Sequence, residues 1–376
     1  MIIGVDIRPM TGLRTGVQEY TEQLLAHMIP LAPEHKFKLF FSSFRDKAPH
    51  LDWMYLPNVE VLEYKIPNNL LFFAGSVFGQ PYLDDLMGGV DVFFSPHFFL
   101  APLSSSCRRV TTFHDLSFVR FPEFFKWRKR WWHNVEMNPS HQASFSDKII
   151  AVSDSTKKDL ESYYQIDPAN IEVVPLGSHI SRPIKEYLVK FKKDRQLPDK
   201  YILYIGTVEP RKNIIGLVRA FNIIKQQSGF EELELIIGGK KGWQFKEILD
   251  EFEKSQFRNK IKYLGHLKDE DRAFYYSLAS VFVYPSFFEG FGSPVLEAMA
   301  CGTPVITSAN SSLPRVAGDA GLLIDPYNIS DLAEALSLVI TNTSLHSHMS
   351  KEGLERAQKF NWDNIGRKTL DILVGR

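Results

Sequence analysis

An alternation constrains this chain more than any other feature. Short apolar runs, rich in β-branched and aromatic residues, are separated by stretches of helical periodicity up to about residue 330. In the first half the runs are Met1 to Asp6, Phe37 to Phe41, Val59 to Tyr64, Val90 to Phe94, Arg109 to Phe113, Lys148 to Val152 and Ile171 to Val174. In the second they are YILYIGT from Tyr201, Leu233 to Gly238, Ile261 to Gly265, Val281 to Tyr284, Pro304 to Thr307 and Gly321 to Ile324. Strands of this kind, with helices between them, predict parallel sheets covered on both faces. The Pro- and Gly-rich PLGSHISRP punctuates the two sets, and 376 residues exceed what one core ordinarily holds. The expected fold class is therefore α/β: two Rossmann-like doubly wound domains facing a cleft, over residues 1–178 and 179–359.

Ligands of such sheets sit beyond the carboxyl ends of the strands. The loops in that position are GTVEPRKN after Ile205, GGKKGW after Ile237, Gly265-His266, and FFEGFGSP after Ser286. The last of these leads into a helix, with Ser293 expected as its N-cap, Pro294 as its first residue and Gly302 as its stop. Glu289 then lies at the mouth of the loop and Glu297 in the first helical turn, with seven residues between them. A helix start offers unpaired N–H groups and a positive dipole end, and Gly290 and Gly292 let an anion come close to the backbone. Carboxylates beside a phosphate site need another task, and accepting hydrogen bonds from sugar or ribose hydroxyls is one. The competing reading is that Glu297 only complements the helix dipole.

Composition removes several classes of function. Lys plus Arg equals Asp plus Glu at 44 each, which gives no global attraction to nucleic acid. Cys107 and Cys301 are too few for a disulfide framework. MIIGVDIRPM reads as a strand rather than a secretory leader, and no window approaches ~18 uninterrupted apolar residues. The expectation is a cytoplasmic protein, soluble or peripheral on the inner membrane face.

Asp269-Glu270-Asp271 has an Asp-x-Asp spacing that could hold a metal, but it precedes the helical AFYYSLA and reads as a cap, so no metal is expected. GKKGW and EGFGSP complete neither a Walker nor a dinucleotide motif.

Taken together, Gly206-Thr207-Val208-Glu209-Pro210-Arg211-Lys212-Asn213, Gly239-Lys240-Lys241-Gly242-Trp243, the Glu289/Glu297 pair, LEAMACGTPVITS, SSLP and AGDAGLLIDP resemble the retaining glycosyltransferases of family four, which have the GT-B fold. RTGVQEYT, FHDLSF at 113–118 and IAVSDSTKKDL extend the resemblance over nearly the whole chain. The resemblance implies an amino-terminal domain on the acceptor side and a carboxyl-terminal domain that binds the nucleotide sugar, with residues 360–376 packing back on the first. It implies that Arg211 and Lys212 bind the diphosphate, with Thr207 beside them. Glu289 would face the transferred sugar, Glu297 the ribose, and Phe291, Gly292 and Ser293 would give backbone donors to the phosphates. His114 would face the reacting carbon from the first domain, with Asp115 either orienting its ring or capping the next turn. Thr15 and Gly16 resemble the phosphate-facing loop of that domain.

The implied reaction moves a sugar, mannose from GDP-mannose by the likeness of GTVEPRKN and GKKGW to mannosyltransferases, onto a hydroxyl of a glycan or lipid-linked acceptor. The nucleotide sugar is substrate, and no cofactor is expected. A nucleotide-sugar epimerase and a noncatalytic nucleotide-sugar-binding subunit are the rival readings. The family usually has Glu after SSLP, where this chain has Arg315.

One motif stands outside this scheme. In FPEFFKWRKRWWHN, from Phe121 to Asn134, the aromatics Phe124, Trp127, Trp131 and Trp132 interleave with Lys126, Arg128, Lys129 and Arg130. On a helix Phe124, Trp127, Trp131 and Val135 would share a face, suited either to packing in the first domain or to an anionic membrane surface.

Overall fold

The computed structural model describes residues 1–11, 15–125 and 137–375. The chain divides into two compact units: Met1–Leu176 with Trp362–Arg376, and Gly177–Asn361. Each is α/β.

Unit 1 holds a parallel sheet of β1 (Ile2–Asp6), β2 (Lys36–Ser42), β3 (Val59–Tyr64), β4 (Val92–Ser95), β5 (Arg108–Phe113), β6 (Lys148–Ala151) and β7 (Ile171–Val173). Their order is β3-β2-β1-β4-β5-β6-β7. Building outward from β1 in one direction and then returning to its other side makes a switch point between β1 and β4, where a crevice opens at the carboxyl ends. The helices of unit 1 include α1 (Gly16–Met28), α2 (Asn68–Phe78) and α3 (Asp154–Tyr164). Thr15 caps α1 by accepting from Gln18 N, and Ser153 caps α3 by accepting from Thr156 N, as Ser, Thr, Asn and Asp caps do.

Unit 2 repeats the plan with β8 (Tyr201–Ile205), β9 (Glu234–Gly238), β10 (Ile261–Gly265), β11 (Val281–Tyr284), β12 (Val305–Ser308) and β13 (Gly321–Ile324), again all parallel. The order β10-β9-β8-β11-β12-β13 puts the switch point between β8 and β11. Both central strands are buried along their whole length, which is why they read as continuous apolar runs. The helices α4 (Ile214–Ile224), α5 (Asp269–Leu278) and α6 (Ser293–Ala300) cover this sheet near the switch point.

The helix α7 (Trp362–Val374) belongs to unit 1, although all of unit 2 precedes it in sequence. It lies along α1: Trp362, Ile365, Gly366, Thr369, Ile372 and Leu373 are buried, and the Trp362 and Tyr20 ring centroids are 6.1 Å apart. Arg108 of β5 donates to the carbonyls of Leu373 and Ile372 at 3.0 Å each, which satisfies two of the acceptors a helix end leaves open.

Candidate active site

The loops after β8 and β11 meet at the switch point of unit 2, and charged side chains join them. Lys212 donates from Nζ to Glu289 Oε1 at 2.5 Å and to the Tyr284 hydroxyl at 2.7 Å. Arg211 donates from Nη1 to the Phe288 carbonyl at 2.7 Å and to Glu289 Oε2 at 3.2 Å. Its Nε and Nη2 both reach Glu209 Oε1, at 3.1 and 2.8 Å. Glu209, Lys212 and Glu289 are buried, so two carboxylates and two cations balance one another out of water.

Burial is the largest influence on each of the three. It pushes the Glu209 carboxyl above its ordinary range against the pull of Arg211, and pushes the Lys212 ammonium below its own, with Arg211 adding repulsion. For Glu289 burial acts upward, but the joint attraction of Lys212 and Arg211 prevails and holds the carboxyl below its ordinary range. Glu289 is thus kept ionised at the mouth of the loop.

Arg211 and Lys212 do not open a regular helix. They form a single 3-10 turn, Pro210–Lys212, after which Asn213 takes left-handed φ 53° and caps α4 through Gly216 N. The turn aims both cations back at the β11 loop instead of along the helix axis. Thr207 is exposed beside them, and its carbonyl accepts from Tyr204.

A second clamp comes from SSLP. Ser311 Oγ accepts from Glu289 N at 3.0 Å, while Ser312 Oγ lies 3.0 Å from the Glu289 carbonyl and 2.6 Å from that of Phe291. Asn310 Nδ2 donates to the Phe287 carbonyl. The departure at Arg315 falls one helical turn on, on an exposed position of Leu313–Ala317, where its own carbonyl accepts from Arg356.

The start of α6 differs from expectation by one residue. Gly292, not Ser293, is the N-cap; Ser293 is the first helical residue and Pro294 the second. Gly292 has φ 106°, and a Cβ there would lie 2.6 Å from Leu313 Cδ2, so a serine could not serve as cap in this geometry. Phe291 and Gly292 are buried and Ser293 is half-buried. Glu297 accordingly lies in the second turn of α6, not the first, and is buried. Its Oε2 accepts from the Tyr276 hydroxyl at 2.9 Å, and Arg272 Nη1 approaches both oxygens at 3.2 and 3.3 Å. Both partners sit on α5, so a role limited to the α6 dipole does not describe this residue.

Asp269, Glu270 and Asp271 fill the first turn of α5; the N-cap is Lys268, without a side-chain bond. They complement the helix dipole rather than cap it. Asp271 pairs with Arg195 at 2.8 Å and Asp269 with Arg272 at 3.5 Å. Among the described residues no group of three or more His, Cys, Asp or Glu could hold a metal.

In unit 1 His114 follows β5, and its Nε2 lies 2.8 Å from the Pro96 carbonyl, at the end of β4. A carbonyl only accepts, so Nε2 carries the hydrogen and the neutral ring keeps its lone pair on Nδ1. Burial pushes the imidazole below its ordinary 6.5, against the Pro96 carbonyl and Asp115. Tyr20 meets the ring edge-on at 4.8 Å between centroids. Asp115 accepts from Ser117 N at 3.0 Å and Ser117 Oγ at 2.7 Å, which closes the following turn, while the carbonyl of Pro96 accepts from His114. Thr15 and Gly16 are exposed at the start of α1, and among the described residues no atom outside the chain neighbours and the helix itself lies within 4 Å of where a Cβ on Gly16 would be.

Residues 14–182 match the family described as Glycosyltransferase Family 4, and residues 188–356 the one described as Glycosyl transferases group 1. Over 284 residues the chain is 34% identical to O-antigen chain mannosyltransferase B of Escherichia coli, covering 74% of this chain and 73% of that protein. The chain is a family-four glycosyltransferase. It is also 28% identical over 243 residues to the serotype-specific mannosyltransferase WbdA of Escherichia coli; that match takes in 62% of this chain but only 29% of the larger protein. In fold this glycosyltransferase is similar to sucrose-phosphate synthase (tll1590) from Thermosynechococcus elongatus, with a TM-score of 0.77 at 21% identity over 99% of this chain and 98% of that one. It is similar also to WaaG, a glycosyltransferase involved in lipopolysaccharide biosynthesis, with a TM-score of 0.75 at 16% identity over the whole of both chains. Two Rossmann-like units of parallel sheet are thus the GT-B architecture.

Sequence reasoning passed over Glu209, Tyr284, Ser311 and Ser312 as site residues. Glu209 stood within GTVEPRKN, and its place two residues before Arg211 was the available signal. Nothing in the sequence ties Tyr284, at the end of β11, to Lys212. The stripe from Phe124 is corrected in part: Phe124 ends a separate 3-10 turn, Pro122–Phe124, and Phe125 is extended, so no single helix runs on from it. Lys126, Trp127, Arg128, Lys129, Arg130, Trp131 and Trp132 lie outside the described residues. No described helix is long and apolar enough to cross a membrane.

Proposed function

We propose that this glycosyltransferase moves mannose from GDP-mannose to a hydroxyl of a glycan or lipid-linked acceptor, with retention of anomeric configuration. The observation that carries the reading is the Lys212–Glu289–Arg211 arrangement: two cations and an ionised carboxylate held together at the switch point, beside the start of α6. Identity to the Escherichia coli mannosyltransferases supports the choice of sugar.

In this reading Arg211 and Lys212 take the diphosphate, Glu289 turns to the hydroxyls of the sugar, and the N–H groups of Phe291, Gly292 and Ser293 meet phosphate oxygens. Glu297 accepts from the ribose while keeping its bond from Tyr276, since a carboxylate has room for about four donors. Thr207 lines the same loop. His114 and Gly16 of unit 1 are assigned to the transfer step on the resemblance of their motifs. The sugar–diphosphate C–O bond breaks as the acceptor oxygen forms a new one on the same face. The acceptor's proton passes to a phosphate oxygen of the leaving diphosphate. The protein's part is to position the reactants and stabilise the leaving charge, without a metal or a cofactor.

Competition binding with GDP and UDP, followed by transfer assays with GDP-mannose, tests the reading. GDP should displace a bound guanosine donor at lower concentration than UDP does. Binding of neither nucleotide would overturn the whole assignment; tighter binding of UDP would overturn the donor alone.

A further inference from the structure

The Lys212 ammonium sits on a flexible four-carbon stem and carries three N–H donors. One goes to Glu289 Oε1 at 2.5 Å and one to the Tyr284 hydroxyl at 2.7 Å. Among the described residues this ammonium makes no further hydrogen bond, so one donor is left over. The two acceptors differ in what the reaction asks of them. In the reading above Glu289 turns to the sugar hydroxyls as Lys212 takes the diphosphate, and their bond is given up. Tyr284 keeps its place.

Its surroundings fix it there. Tyr284 is the last residue of β11, and its side chain is buried. Its carbonyl accepts from Thr307 Oγ1 of β12 at 2.8 Å. Its ring stacks on Tyr204 of β8 at 5.8 Å and 17°, and on Phe282 at 5.8 Å and 21°. Tyr204 is tied in turn to the following loop by donating to the Thr207 carbonyl at 3.1 Å. Burial pushes the Tyr284 phenol well above its ordinary value, with Glu289 adding repulsion, so the hydroxyl stays neutral. A neutral acceptor orients a cation without cancelling its charge. A carboxylate in the same place would compete with the diphosphate for it.

We propose that Tyr284 is a positioning residue for the transfer: its hydroxyl holds the Lys212 ammonium in a fixed orientation while Glu289 exchanges that ammonium for the sugar. One hydrogen bond suffices, because it sets the rotation about the Cε–Nζ bond and with it the directions of the other two N–H groups. The donor left over and the one that Glu289 releases then meet oxygens of the leaving diphosphate without a search, which is the preorganisation that charge stabilisation needs. This inference rests on the diphosphate reading of Lys212 and adds the group that keeps the lysine in place.

The test is Tyr284→Phe in the full chain, which removes the hydroxyl and keeps the ring and its stacking. Release of GDP from GDP-mannose, with methyl α-mannoside as acceptor, should have a kcat about tenfold lower, and the KM for GDP-mannose should change less than about threefold. In a Lys212→Met background the same substitution should cost nothing more, since the hydroxyl acts only through the ammonium. A second arm needs no acceptor: GDP affinity is measured against pH. Glu289, Arg211 and Glu209 are the charged groups around Lys212, and all three remain in the variant. With one acceptor gone the ammonium loses its proton more easily, so the alkaline fall in GDP affinity should begin about half a pH unit or more lower than in wild type. A role confined to packing would lower the melting temperature and leave that fall where it is. An unchanged kcat, superimposed pH curves, or a loss in the double variant equal to the sum of the two single losses would each overturn the role of Tyr284. A wild-type protein that binds neither GDP nor UDP would instead strike the donor reading itself, and this inference with it.

Discussion

A Cβ on Gly239 would lie 1.7 Å from the carbonyl oxygen of Gly206. These residues follow neighbouring strands β8 and β9, and their contact sets how closely GTVEPRKN and GGKKGW run together. From there Val208 N donates to the Lys240 carbonyl and Gly242 N to the Val208 carbonyl, each at 2.9 Å, so the two loops extend the sheet beyond its strands. Gly239 also has φ 144°, where a side chain is strained whatever the space. Gly239→Ala is therefore expected to cost about 2–3 kcal/mol of stability. Urea unfolding checks this; a loss below about 0.5 kcal/mol would show that the loops shift apart freely.

Glu289→Gln and Lys212→Met are each expected to lower transfer by about two to three orders of magnitude, since each removes a preorganised contact. Breaking a buried pair also leaves one charge uncompensated, so each single variant should lose stability, and the double variant less than the sum. A double-mutant cycle by chemical denaturation should give a coupling of about 1–3 kcal/mol. Additive losses would mean that Lys212 and Glu289 do not pair in solution.

His114 supplies a pH test with a definite sign. Burial, opposed by the Pro96 carbonyl and Asp115, holds its folded-state value below the ordinary 6.5. As pH falls through 6.5 the unfolded chain takes up a proton that the folded chain refuses, so its contribution to stability declines from there down to the depressed value and then levels. His114→Gln should flatten this part of the curve. Denaturation of both proteins at pH 7.5, 6.5 and 5.5 measures it, and parallel curves would contradict the burial. The same variant should lose turnover more than donor affinity.

Retention and metal independence are read together. The one-bond C1–H1 coupling of the product, followed by NMR during the reaction, should fall in the same anomeric range as that of the donor, and a chelator should leave the rate unchanged. An inverted product would refute same-face substitution, and loss of rate with EDTA would return the acids of α5 to consideration.

Much of the fold was legible because the strands of both sheets are largely covered on both sides, so burial wrote itself into the sequence as apolar runs. The charged cluster was not. Lys212 and Glu289 are 77 positions apart and meet only because β8 lies beside β11, an adjacency that parallel crossover imposes and no local pattern records. Gly292 hid the true cap of α6 because a left-handed φ is invisible in a string where Ser293-Pro294 already looks like a helix start. The outer face of α2 was silent for the opposite reason. NNLLFFAGSVF has large apolar residues on both sides, Leu71 and Phe72 buried and Leu70, Phe73, Val77 and Phe78 exposed, so its pattern does not show which side the core takes.

The position of α7 has a consequence for biosynthesis. Its buried residues complete the surface of α1, whose Leu24, Leu25 and Met28 are fully covered in the finished unit. A ribosome delivers α1 early and α7 only after every strand of unit 2. Unit 2 can close on itself as it emerges, but unit 1 must wait with an apolar seam along α1 uncovered. In the living cell the half made first is the half finished last, and that seam is where a chaperone would find the nascent chain.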